Sequence, residues 1–108
     1  MTEQETFNTV AKHLLSMDGQ SLTYTDACAY RGANGEKCAV GILIPDELYT
    51  PGMEGLGAGD PRIASVLHSL GHDVKLCQAL QSIHDNNWLF RRQALEHLAE
   101  VHGLEMPS

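Results

Sequence analysis

Hydrophobic positions along this chain change their spacing part-way, and the change divides it. Phe7, Val10, Ala11 and Leu14 lie three and four apart, the repeat of one helical face, and acids sit at the start of that run, where the helix dipole favours them. The spacing predicts a helix over 4–17, ended at Asp18-Gly19 because glycine readily takes the left-handed conformation that closes a helix. From Ser21 the periodicity is lost. "SLTYTDACAYRG" is rich in Thr, Tyr and small residues and reads as extended. Asn34-Gly35 is the strongest short-range hairpin signal in the chain, joining one arm over 27–32 to a second over 37–43. The apolar run "CAVGILI" in the second arm reads as a strand; a short helix starting near Cys38 is the alternative, and Pro45 ends either one.

Beyond it, "PDELY" is expected to make a single helical turn. Four glycines and two prolines in the twelve residues from Thr50 to Pro61 mark a loop. Asp60 as N-cap and Pro61 in the first position open a helix that runs to Leu70 and stops at Gly71. Asp73 caps the next, over 74–84, whose apolar face is Val74, Cys77, Leu80 and either Ile83 or His84. "HDNN" interrupts, and a last helix over 88–102 turns Trp88, Leu95, Leu98 and Val101 inward before Gly103 closes it. A lone hairpin is marginal in water and must lie against the helices. The expected fold is therefore α+β: a small single domain, 1–108, with about four helices packed on one β-hairpin.

The charge balance narrows the partners. Fourteen acids against seven Lys and Arg give a net charge of −7, and Arg91-Arg92 is the only adjacent basic pair. Direct nucleic-acid binding through phosphate neutralisation is disfavoured, whereas a basic protein surface would be attracted. No membrane span is expected, because no apolar stretch approaches the roughly 18 residues needed. The polar start "MTEQETFNTV" does not read as a signal peptide, so the expectation is a cytoplasmic protein with reduced thiols.

Three cysteines raise the question of chemistry. Cys28 and Cys38 have nine residues between them, unlike the short spacing of paired zinc ligands, and no CxxC, HxxxH or CxxH pair occurs. No metal and no cofactor is expected, and the thiols read as buried hydrophobes. Under a two-residue turn Cys38 lies opposite Arg31, which offsets it from Cys28 and opposes a disulfide. A nucleophilic Cys38 at a helix start, served by His84 and Asp85, is the sharper alternative. Adjacent residues fill the roles of base and orienter poorly, so no catalytic residue is assigned and Cys38, His84 and Asp85 stand only as candidates. Arg31 could clamp a carboxylate such as Asp46, Glu47 or Glu54, tying hairpin, turn and loop together. His84 reads as bonded to the following loop, and Trp88 and Phe90 as core and satellite core.

"CAYRGANGEKCAVGILIPDELYTPGMEG", then "LQSIHDNN" and "LEHLAEVHGL", resembles a family of small uncharacterised bacteriophage and proteobacterial proteins. The family pattern is CxYRG–G–KCAxGxLIPDxxYxPxMEG, LQxIHD and a final helix ending in HGL. Cys28, Tyr30, Arg31, Gly32, Cys38, Gly41, Pro45, Asp46, Tyr49, Met53, Glu54, Gly55, His84 and Asp85 match it. The family carries no catalytic activity to transfer. The phage association implies a non-enzymatic acidic protein that binds and inhibits a host defence component, such as an RNA-guided or nuclease complex with a basic groove. Its expected contacts are Glu36, Glu54 and Asp60, with Arg31 also a candidate. Two further readings remain open: a small cysteine-dependent hydrolase or transferase using Cys38 and His84, and a regulatory module that homodimerises through the apolar hairpin face.

Overall fold

The computed structural model describes residues 2–107. Helix α1, Glu3–Ser16, is closed at its start by a capping box: Thr2 Oγ1 accepts from Glu5 N at 3.1 Å, and Glu5 Oε1 accepts from Thr2 N at 2.9 Å. Its buried face is the one the spacing implied, Phe7, Val10, Ala11 and Leu14.

The expected β-hairpin is absent, and the fold is mainly helical, at 56%. The turn itself forms: Gly35 has φ +87°, and Arg31 pairs with Lys37 in one antiparallel bridge. A second isolated bridge, Leu22 with Cys28, lies upstream. The ladder stops there because the second arm becomes helix α2, Ala39–Leu43, with Cys38 as its N-cap. Cys38 therefore sits one residue beyond the bridge rather than opposite Arg31. The physical reason is burial. Ala39, Val40 and Gly41 lie in the interior, where a strand with one partner would leave half its main-chain groups unpaired, while a helical turn pairs some of its own and presents the rest at its ends, where side chains reach them.

Five residues cannot hold a helix alone. Each end of α2 is closed by a side chain from elsewhere: Gln81 Oε1 accepts from Val40 N at 2.9 Å, and the Arg31 guanidinium donates to the carbonyls of Gly41 and Ile44 at 2.8 and 2.7 Å. Val40, Leu43 and Ile44 are buried, each stabilising by about 1.5–3 kcal/mol. Gly41 is required, because a Cβ there would overlap the Tyr30 carbonyl. Most of the apolar face expected to pair two copies thus lies inside the core, with Ile42 half-buried at its edge.

Pro45 to Tyr49 makes the single turn anticipated, with Tyr49 N donating to Pro45 O at 3.1 Å, and Pro51–Met53 adds a 3-10 turn in the glycine loop. Helix α3, Pro61–Ser69, starts on Asp60, and α4, Val74–Asn86, on Asp73, as the caps indicated. A 3-10 turn at Trp88–Phe90 precedes α5, Arg91–His102, which Gly103 ends at φ +66°. α5 buries Leu95 and Ala99 rather than Val101, which is 66% exposed; Leu98 is half-buried. Helix α2 packs between α1 and α4, with α3 and α5 also against α4, around one core. Among the described residues, no helix is long and apolar enough to cross a membrane.

Candidate functional site: a polar clasp, its cleft and an exposed apolar face

The resemblance motif folds into one clasp between the 21–38 segment, α2 and the glycine loop. Glu54 grips two consecutive main-chain donors: Oε1 accepts from Tyr30 N at 2.9 Å and Oε2 from Arg31 N at 3.0 Å. Oε2 also accepts from the Tyr49 hydroxyl at 2.7 Å, which burial and this carboxylate push up to about 12. The Tyr30 hydroxyl donates to Leu56 O. Besides capping α2, Arg31 pairs with Asp46 Oδ1 at 3.1 Å and lies over the Tyr49 ring at 4.6 Å. Asp46 is thus the clamped carboxylate. Glu54 reaches the Arg31 main chain instead of its guanidinium.

Beside the clasp lies a cleft of about 190 Å³, lined among others by Cys28, Tyr30, Cys38, Glu54, Gln81 and Asp85. The donor atoms of Cys28, His84 and Asp85 lie within 4.8 Å of one another. His84 is fully buried, and its Nε2 accepts from Ser21 N at 2.9 Å. That bond fixes the tautomer: Nδ1 carries the proton and donates to Asp85 Oδ1 at 2.7 Å. The adjacent aspartate therefore does orient the ring, against the expectation from spacing. Both ring nitrogens are engaged, however, so His84 has no lone pair free for a thiol proton or a metal ion. Its role is to pin the 20–29 segment to α4, aided by Gln20 Nε2 donating to His84 O at 2.7 Å.

The thiols are equally quiet. Cys38 is fully buried, its Sγ accepts from Gly41 N at 3.3 Å, and burial pushes it up to about 12. Cys28 is exposed, but burial of its sulfur and the Asp85 charge push it up to about 11. Both shifts oppose the thiolate that a nucleophile requires. All three cysteines are free thiols, and among the described residues no buried side-chain nitrogen or oxygen lacks a hydrogen-bond partner.

The expected contact acids are also engaged internally. Glu36 Oε1 accepts from Asn34 N at 3.3 Å, and Asp60 caps α3 and pairs with Arg62 at 3.1 Å. Glu36, Glu54 and Asp60 are each only partly exposed and lie in different segments.

Sequence reasoning missed the α4–α5 junction. Leu89 is 85% and Phe90 63% exposed, so Phe90 is not satellite core. Trp88 is half-buried, edge-on to the His84 ring at 5.4 Å, with Arg91 stacked on its face at 4.0 Å. The signal was present in "NNWLFRR": three apolar residues in the break between two helices cannot all turn inward. No family model, curated protein or solved structure matches the chain.

Proposed function

We propose that this chain is a phage- or prophage-borne, cytoplasmic, non-enzymatic binding protein that inhibits a host defence component by protein–protein contact. The observation that carries the reading is the exposure of Leu89 and Phe90 on a chain of net charge −7. An acidic surface speeds encounter with a basic partner, and a few apolar anchors then hold it. The contact acids are those standing in water, such as Glu47, Glu96 and Glu100, rather than the clasp residues. The reactive side chains support a binding role by their engagement: Cys38 caps a buried helix, and His84 bonds at both nitrogens. A defence complex with a groove built for nucleic acid offers the basic surface that this charge suits.

The test is efficiency of plating. A phage targeted by an RNA-guided system is plated on cells expressing the chain, beside cells expressing Leu89→Ser/Phe90→Ser or a multiple acid-to-neutral variant. Restored plating by the parent, with co-purification of a system subunit that weakens in moderate salt, is the expected result. A parent chain that restores no plating against any RNA-guided or nuclease system tried, and retains no subunit at low salt, sinks the reading.

A further inference from the structure

We propose that the α4–α5 junction and the outer groove between these helices form one docking surface for a basic amphipathic segment of another protein. This rests on the binding-protein reading and gives it a contact face. Two depressions meet there and share Asn87. The first, about 250 Å³, is lined by Gln20, Asp85, Asn86, Trp88, Leu89 and Phe90. The second, about 370 Å³, is walled by Ala79, Ile83, Ala94, Leu98 and Val101, with Ser82 and His97 its other polar members. Leu89, Phe90 and Val101 stand 85%, 63% and 66% exposed along it. Contiguous apolar side chains ringed by polar ones mark an interaction surface rather than a solvated face.

Charge chooses the occupant. Asp85 is the one acid lining the two depressions, and no lysine or arginine lines either. Of the two neighbouring cations, Arg91 points inward, donating to the carbonyls of Leu14, Met17 and Trp88 at 2.8, 3.0 and 3.1 Å, and Arg92 is exposed outside both depressions. Gln81 and His84 both bond Asp85 through Oδ1, and a carboxylate has room for further donors on its other oxygen. A lysine or arginine flanked by apolar residues meets these requirements. A second copy does not: each would bring a net charge of −7, and a two-fold contact sets the same patch on both sides, whose lining holds no lysine or arginine to meet Asp85. An anionic bilayer is repelled for the same reason.

The experiment titrates the ¹⁵N-labelled full chain with a synthetic amphipathic Lys/Leu peptide and with its Glu/Leu counterpart. Saturable amide shifts centred on 79–101 are expected, with the Lys/Leu peptide bound about tenfold or more tightly than the Glu/Leu one. Leu89→Ser/Phe90→Ser, with an unfolding midpoint near the parent's, should weaken binding by about tenfold. Val101→Lys, which sets a cation in the groove, should do the same by repulsion. Shifts centred on 20–37, equal affinity for the two peptides, or undiminished binding by both variants overturns the proposal. So does self-association of the peptide-free chain that Leu89→Ser/Phe90→Ser abolishes, or capture on phosphatidylglycerol vesicles. Plating restored equally by parent and Leu89→Ser/Phe90→Ser removes this face while keeping the inhibitor reading. Peptide binding here without any plating effect removes the inhibitor reading and keeps the face.

Discussion

Replacing Glu54 by glutamine keeps the side chain's size and tests the clasp directly. The carboxylate accepts from Tyr30 N through one oxygen and from Arg31 N through the other, so both acceptors are needed at once. An amide offers one oxygen and one NH₂, and in either flip one main-chain donor faces another donor. Leaving that N–H unpaired costs about 1–3 kcal/mol, and the surviving bond loses roughly 1 kcal/mol with the charge. The Tyr49 hydroxyl can rotate to accept from the new NH₂, so its contribution is small. The site is half-buried, which places the expected loss at about 3 kcal/mol. For 108 residues, an unfolding entropy near 2.1 cal/mol/K per residue converts this to a fall of about 13 °C in Tm. The assay is thermal unfolding followed by circular dichroism, beside Glu47→Gln on the neighbouring exposed turn, expected to stay within about 0.5 kcal/mol. A Glu54→Gln protein that also stays within about 0.5 kcal/mol of the parent refutes the clasp as a source of stability.

Three further outcomes follow from the same geometry. Gly41→Ala drives a methyl into the Tyr30 carbonyl and should cost about 1–3 kcal/mol by chemical denaturation, whereas Gly57→Ala, with open space around it, should cost far less. Thiol alkylation of the native chain at neutral pH should be slow at Cys28 and absent at Cys38 and Cys77, with all three reacting in denaturant; rapid native labelling of Cys38 would revive the nucleophile reading. Burial pushes the His72 imidazole below its ordinary value while Thr6 Oγ1 holds its Nδ1 at 2.8 Å. The unfolded chain then binds the proton more readily, so stability should fall as pH drops below about 6.5, at up to roughly 1.4 kcal/mol per pH unit, and His72→Gln should flatten that acid limb.

Helix starts were legible because their signals are local. Asp60-Pro61 and Asp73 each place a cap oxygen beside the main chain it serves, and Gly71 and Gly103 supply the positive φ that follows a helix. "CAVGILI" was not legible, since a short apolar run buried all round carries no periodicity, and only its partners Gln81 and Arg31 decide that it coils. In the clasp, Arg31 with Asp46 could be read from opposite charges. Glu54 on the nitrogens of Tyr30 and Arg31 could not, because main-chain donors leave no mark in a sequence. Val101 fits an inward stripe as well as Leu95 does, and only the rotation of α5 on the core separates them.

Helix α2 has a consequence for the order of assembly. Apart from the local Cys38 cap, its capping groups come from Gln81, forty-one positions downstream of Val40, and from Arg31, so it gains little until α1 and α4 have already met. It should be the last element consolidated on the folding path, with mutations there chiefly accelerating unfolding. Its amides, sealed on every side once placed, should exchange with solvent deuterium only through whole-molecule opening.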